Sequence, residues 1–246
     1  MYLISAGELF LKGKNVSMFE NALISNLIRQ LDLKKGDLIK KRFRYIINKE
    51  EDPGIGKVFG ISQYAKVTEC DFDQVNETAL SLVGDHKSFR ISAKRSSKEW
   101  KNSDKINREV GEYVFENAKI KVDLHNPSIE IFVDIMDGKA YVYGGKIEGL
   151  GGLPVGVTGD VELDIEDAKR RIVAGYLVMK RGCNLINAPE ELVKFGSFSG
   201  KNRESQAVVK DLNLENIKKS EELVLYPLLG FTDKEISSLY SRIEKL

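Results

Sequence analysis

The densest group of chemically active side chains in this sequence is cationic. Lys87, Arg90, Lys94, Arg95, Lys98, Lys101, Lys105 and Arg108 follow one another closely, with only Glu99 and Asp104 to oppose them before Glu109. Such a run attracts phosphate over a Debye length, and each phosphate it neutralises releases counterions. The ligand this chemistry suits is a nucleic-acid backbone. Trp100 lies inside the run and has two readings. Its indole stacks on a base or ribose, as aromatics do on single strands, or it packs against a strand–helix connection. Lys12 and Lys14 flank Gly13 near the start; they reach for phosphate from a loop, or they mark a turn ahead of a helix capped by Asn15. Arg42 and Arg44 belong to a second basic cluster that begins at Lys34; they extend the same surface or are simply solvated.

The other reactive residue types give weaker signals. Cys70 and Cys183 are far apart, which fits neither a metal cluster nor a disulfide framework. Cys70 reads as a buried strand residue. Cys183 follows Lys180 and Arg181, cations that lower a thiol pKa if they are close enough, but a structural role is favoured. His86 and His125 stand apart from each other and suggest loop residues. The strip from Gly144 to Gly156 is dense in glycine. It lacks the Gly-Lys-Ser/Thr ending of a phosphate loop, and Pro154 removes a donor, so it reads as a linker or a packing element between domains.

Hydrophobic periodicity supplies the elements that must hold these groups. Tyr2 to Ser5 predicts a strand. Phe19, Leu23, Leu27 and Leu31 recur every fourth residue and predict a helix from Asn15 to Leu31. Asp37 to Asn48 predicts one or two strands around Arg42, Ile55 to Ile61 a short helix, and Lys66 to Cys70 a strand. This is the element order of a ferredoxin-like unit. A second α/β unit follows, with a helix from Asp73 to Val83 and a strand from Ser88 to Ala93. A helix from Asp104 to Asn117 comes next, with Ser103 as its expected cap. Strands at Ile129–Ile135 and Ala140–Tyr143 are joined by Asp137-Gly138, a hairpin signal. In the Ser88 strand, Phe89, Ile91 and Ala93 share one face, so Arg90 and Lys94 point the other way. Past the glycine strip, a helix is predicted from Ile165 to Lys180 and a strand near Leu223 to Tyr226. Thr232 and Glu235 form a capping box for a final helix.

The bulk numbers are compatible with this picture. The chain has 246 residues, 42% hydrophobic and 30% charged, enough apolar content for packed cores and too much for disorder. No run of about 18 apolar residues is present, so no membrane span is expected, and no basic region precedes the first short apolar stretch. A cytoplasmic setting is the expectation. The formal net charge is only +1, so the basic run acts as a local patch and not as a global field.

An ordered series of segments resembles the tRNA 4-thiouridine synthetase (ThiI, tRNA sulfurtransferase) family. It begins with Gly7-Glu8-Leu9-Phe10-Leu11-Lys12-Gly13-Lys14-Asn15 and continues with Val58-Phe59-Gly60-Ile61. Ala93-Lys94-Arg95 follows, then Lys121-Val122-Asp123-Leu124 and Gly149-Leu150-Gly151-Gly152-Leu153-Pro154. The resemblance implies an α/β (α+β) chain. Its parts are a ferredoxin-like N-terminal domain at 1–62, a THUMP domain at 63–148, a Gly-rich linker at 149–159 and a degenerate, shortened, Rossmann-like PP-loop domain at 160–246. It also implies that the THUMP domain docks the acceptor end of tRNA. On that reading the RNA-binding residues are Lys12, Lys14, Lys94, Arg95, Lys98, Trp100, Lys101, Lys105 and Arg108.

The final segment departs from the family. The family's pyrophosphate loop, Ser-Gly-Gly-x-Asp-Ser before a helix, is replaced here by Leu163-Asp164-Ile165-Glu166-Asp167-Ala168. Without the glycines, backbone N–H groups lose their approach to phosphate, and the acids repel it. Few residues separate Gly182 from Ser197, and the chain ends ahead of the region where family members carry their sulfur-handling cysteine. No catalytic residue carries over, and ATP, the family's cofactor, is left without a matching loop. The leading expectation is a tRNA-binding module working beside a separate catalytic or sulfur-carrier protein. The alternatives are a sulfurtransferase active through a partner subunit or an altered ATP site, and an assembly protein that does not bind RNA.

Overall fold

The structure, a computed structural model, describes residues 1–7, 15–41, 44–96, 100–198, 204–212, 214–217 and 219–246. Lys12, Lys14, Arg42 and Lys98 fall outside them. The chain opens with β1 (Tyr2–Ala6), α1 (Val16–Gln30), β2 (Leu38–Lys41), β3 (Arg44–Ile47) and β4 (Ile61–Lys66). It continues with β5 (Thr68–Cys70), α2 (Val75–Ser81), β6 (Ser88–Arg95), α3 (Ser103–Ala118), β7 (Lys121–Val122), β8 (Ile129–Met136) and β9 (Lys139–Gly144). The last part holds β10 (Ile147–Glu148), β11 (Asp160–Asp164), α4 (Ala168–Lys180), β12 (Asn184–Leu185), α5 (Glu190–Val193), β13 (Ala207–Lys210), β14 (Val224–Leu225) and α6 (Asp233–Lys245). Three sheets result, ordered β10-β4-β1-β3-β2, β5-β9-β8-β6-β7 and β12-β11-β13-β14.

Two compact units interleave along the chain. The first comprises Met1–Ser5, Lys35–Asp52 and Gln63–Ile147; the second comprises Ala6–Lys34, Pro53–Ser62 and Glu148–Leu246.

In the first unit, the sheet centred on β8 and β6 carries apolar side chains on both faces. Phe89 and Ile91 of β6 lie with Ile131, Val133 and Ile135 of β8 against Val75 and Ala79 of α2 and Ile106, Val110 and Val114 of α3. Each such buried side chain contributes about 1.5–3 kcal/mol through removal from water. The opposite face sets Phe132, Met136, Tyr141 and Tyr143 against Leu3, Ile46, Ala65 and Val67. The β8–β9 hairpin turns at Asp137 (φ 48°) and Gly138 (φ 76°), the two positive values a tight two-residue turn demands.

In the second unit a parallel sheet is covered on one face by α4 and α6. Val161 and Leu163 of β11 and Val209 of β13 meet Ile172, Val173, Tyr176 and Met179 of α4 and Ile236 and Ile243 of α6. Gly175 lets the helix approach this closely, because a Cβ there would stand 2.5 Å from Leu192 Cδ1. The strip read as a linker is pinned by backbone hydrogen bonds. Gly151 N–H donates to the Ile61 carbonyl at 2.7 Å and Gly156 N–H to the Gly182 carbonyl at 2.7 Å. A Cβ on Gly152 would stand 2.3 Å from the Lys180 carbonyl oxygen, so that position requires glycine.

Several boundaries differ from expectation. The helix expected at Ile55–Ile61 is a single 3-10 turn at Ile55–Lys57, because Gly54 (φ 101°) and Gly60 (φ 99°) bracket it and β4 begins at Ile61. The cap of α3 is Asn102, not Ser103: its side-chain oxygen accepts from the Lys105 N–H at 2.8 Å. Helix α4 starts at Ala168, where the Asp167 carboxylate takes the Arg170 N–H at 2.8 Å. The capping box of Thr232 and Glu235 forms as the sequence predicts.

Candidate nucleic-acid interface

Strand β6 sorts the basic run onto two faces. Its alternation places Arg90, Ser92 and Lys94 on the side away from α2 and α3, beside Glu130, Phe132 and Asp134 of β8 in parallel register. Arg90 Nη2 meets Glu130 Oε1 at 2.6 Å, and the Ser92 hydroxyl donates to the same carboxylate. Asp134 is almost wholly buried, yet it carries a counter-charge: Arg44 Nη2 of β3 lies 3.4 Å from its Oδ2. The Tyr143 hydroxyl donates to that oxygen at 3.1 Å, and Arg44 also donates to the Ser5 hydroxyl. Burial, and then the Asp134 charge, push the Tyr143 phenol up, so it stays a neutral donor. Lys146 Nζ sits 3.7 Å from the centre of the Phe132 ring. Burial lowers its pKa, and the neighbouring charge of Lys94 lowers it further. Lys94 is exposed and has no ion-pair partner among the described residues.

The helix side is organised differently. The Trp100 indole stacks on Phe72 with ring centres 4.8 Å apart and planes 4° from parallel. It also packs at the edge of the α2–α3 core, the second of its two readings. Arg95 Nη1 donates to the Trp100 carbonyl at 3.4 Å. Lys101 pairs with Glu109 of α3, and Lys105 Nζ lies 3.7 Å from the same carboxylate. The Lys101 hydrogen bond, more than any other contact, holds Glu109 below the usual carboxylate range. Phe72, Asp73, Asn76, Trp100, Lys101 and Glu109 border a cavity of about 390 Å³. Arg108 is exposed on α3.

The structure therefore joins Trp100, Lys101 and Lys105 around Phe72 and Glu109, and sets Lys94 on the opposite face. Sequence reasoning overlooked Lys146. It follows Gly144-Gly145, where strand alternation stops, so no periodic signal could place it above Phe132. It also overlooked Glu109 as the shared partner of two lysines, although the four-residue spacing from Lys105 was visible.

In the second unit, the turn from β11 to α4 stands where the resemblance puts the pyrophosphate loop. The Asp167 carboxylate already takes an N–H of the first helical turn. Arg170 pairs with Asp211 and, at 2.8 Å, with Asp233; Lys210 lies 3.2 Å from Asp164. Arg170 and Lys210 are thus bound to acids, while Arg171 donates to the Ile165 and Asn187 carbonyls and Lys169 lies over the Tyr240 ring. The Cys183 thiol is 3.3 Å from the Thr158 hydroxyl, and burial pushes its pKa up, as burial also does for Cys70. Neither thiol has the lowered pKa of a reactive thiolate. Among the described residues no group of His, Cys, Asp and Glu is placed to hold a metal, and no helix is long and apolar enough to cross a membrane.

Comparison with known proteins places this architecture. The ThiI ferredoxin-like domain model matches residues 1–65, and the THUMP domain model matches residues 69–144. The chain therefore carries a ThiI ferredoxin-like domain followed by a THUMP domain. A probable tRNA sulfurtransferase from Thermoanaerobacter sp. (strain X514) is 38% identical over 192 residues, covering 73% of this chain and 50% of that protein. The chain thus spans about half the length of this curated relative. A crystal structure from Pyrococcus horikoshii Ot3 (PH1313) superposes with a TM-score of 0.80 at 27% identity, covering 98% of both chains. A 4-thiouridine synthetase, solved as an RNA complex with bound ATP, shares the fold, with a TM-score of 0.81 at 23% identity over 98% of this chain and 84% of that one.

Proposed function

We propose that this chain is a cytoplasmic tRNA-binding protein that docks the acceptor end of tRNA through its THUMP domain. The observation that carries this reading is the exposed, unpaired Lys94 on β6, within a domain whose relatives are named for tRNA sulfur transfer. Lys94 grips the backbone directly. Arg95 and Arg108 border the other side, and Lys12, Lys14 and Lys98 extend the track. Phosphate contacts set the position of the RNA, while discrimination of a single-stranded 3′ end requires contacts to bases or ribose.

Under this reading the chain does not adenylate uridine by itself. Asp167 occupies a donor that a phosphate needs, and Asp164, Asp211 and Asp233 engage the nearby cations Lys210 and Arg170. A separate catalytic or sulfur-carrier protein supplies the chemistry. The kinship with tRNA sulfurtransferases favours one competing reading, an enzyme completed by a partner subunit.

Gel-shift titration tests the proposal, using tRNA and a tRNA lacking its 3′ end, with wild type and Lys94→Glu/Arg95→Glu. Truncation and substitution should each weaken binding. If neither changes affinity, the acceptor-end reading is wrong. Saturable ATP binding to the chain alone would instead support the enzyme.

A further inference from the structure

We propose that Lys94 and Lys146 together form a seat for one phosphate group on the strand side of the THUMP sheet. The inference deepens the RNA reading above and rests on it for the identity of the ligand as a backbone phosphate. A free phosphate or pyrophosphate presents the same oxygen chemistry.

The seat follows from which charges on this face are already matched. Arg90 is matched by Glu130, and Arg44 by Asp134. Two cations remain. Lys94 lies beside Asp134 in register, and Lys146 lies over Phe132, two residues earlier on β8, so the two ammonium groups flank one short stretch of a single strand. Side chains two apart on a strand share a face at roughly 7 Å. Neither lysine has an ion-pair partner among the described residues. Each lies within electrostatic reach of the other, and Lys146 is partly removed from water.

A partly desolvated lysine beside a second, exposed like charge is costly, and an anion with several acceptor oxygens relieves it at both ends. The floor is ready-made for this. The Phe132 ring face holds the Lys146 ammonium, a contact that takes up none of its N–H donors in an ion pair. Ring stacking of Phe132 on Tyr143, with centres 5.0 Å apart, fixes the ring. Asp134 and Glu130 both attract Lys146, but each is shared with an arginine: Arg44 and the Tyr143 hydroxyl lie on Asp134 Oδ2, and Arg90 lies on Glu130. The face therefore keeps positive charge where a phosphate would sit.

The test uses the full chain with its lysines carrying ¹³C-methyl groups, which preserve the positive charge. Signals of Lys94 and Lys146 are assigned from Lys94→Gln and Lys146→Gln. Inorganic pyrophosphate, and separately tRNA, should shift both signals and raise the pKa of Lys146. Lys146→Gln should weaken tRNA binding about tenfold and reduce the salt slope by about one. It should also abolish the response of Lys94 to pyrophosphate, while Lys146→Arg restores binding and an unchanged Tm shows that the fold is kept. A silent Lys146 in both titrations overturns the seat, as does a Lys146→Gln protein with wild-type affinity and slope. If tRNA binds while Lys146 stays silent, the seat falls and the RNA reading stands. If pyrophosphate moves both lysines and tRNA does not bind, the seat stands for a free phosphate and the RNA reading falls.

Discussion

The two faces of the THUMP sheet hold similar cations in opposite circumstances. On the helix side, Lys101 and Lys105 converge on Glu109, and Trp100 is stacked on Phe72. On the strand side, Glu130 and Asp134 are matched to Arg90 and Arg44, and Lys94 and Lys146 have no ion-pair partner among the described residues. One face uses its charges to hold α3 against the loop before it. The other leaves Lys94 exposed and Lys146 partly buried over Phe132. The lesson is that a dense basic run in sequence is not one surface. A strand that carries Lys94 and Arg95 as neighbours sends them to opposite sides, and the acids across the sheet decide which cations are available.

Four perturbations break or sharpen this comparison, taken from the largest expected effect down. Asp134→Ala strips Arg44 and Tyr143 of a shared buried partner and should cost about 3 kcal/mol, read by urea unfolding. A loss under about 1 kcal/mol would mean that the strand face is not organised around this carboxylate. Trp100→Ala removes a half-buried aromatic stack and should cost about 2 kcal/mol, yet change tRNA affinity less than about threefold. A large loss of affinity with little loss of stability would return Trp100 to the role of base platform. Lys94→Glu places repulsion on the presented face and should weaken tRNA binding about tenfold, with stability unchanged.

Glu109→Gln is the mildest change. It frees Lys101 and Lys105 and should tighten tRNA binding by no more than about threefold. It also has a pH signature. The folded-state pKa of Glu109 is depressed, so below the ordinary carboxylate range the unfolded chain binds the extra proton first. Stability from this contact is present above that range and is lost as pH falls through the folded value. Glu109→Gln should therefore flatten part of the acid limb of the urea midpoint, measured from about pH 5 downward. An identical acid limb in both proteins would show that the Glu109 contacts are not formed in solution.

The sequence made some of this legible for local reasons. Period-two alternation predicts that Arg90 and Lys94 oppose Phe89 and Ile91, and the register of β6 against β8 bears this out. Asp137-Gly138 and the Thr232–Glu235 box are short signals with fixed geometry, and both form. Other features depend on pairings between distant segments. Arg44 meets Asp134 only because β3 and β8 face each other across a shared core, which no local pattern encodes. Lys146 lies past a glycine pair that ends the strand period. Lys101 reaches Glu109 from just ahead of α3, whose cap is Asn102 and not the expected Ser103. The glycine strip reads as either a linker or a packing element because glycine suits both freedom and tight contact. Gly152, packed against the Lys180 carbonyl, uses the second of these.

The most direct test of the central claim is the salt dependence of tRNA binding, measured in parallel for wild type, Lys94→Gln and Lys105→Gln. The account predicts that Lys94→Gln lowers the slope of log affinity against log salt by about one, while Lys105→Gln leaves it at the wild-type value. A lowered slope for Lys105→Gln together with a wild-type slope for Lys94→Gln would put the RNA on the helix face and contradict the account.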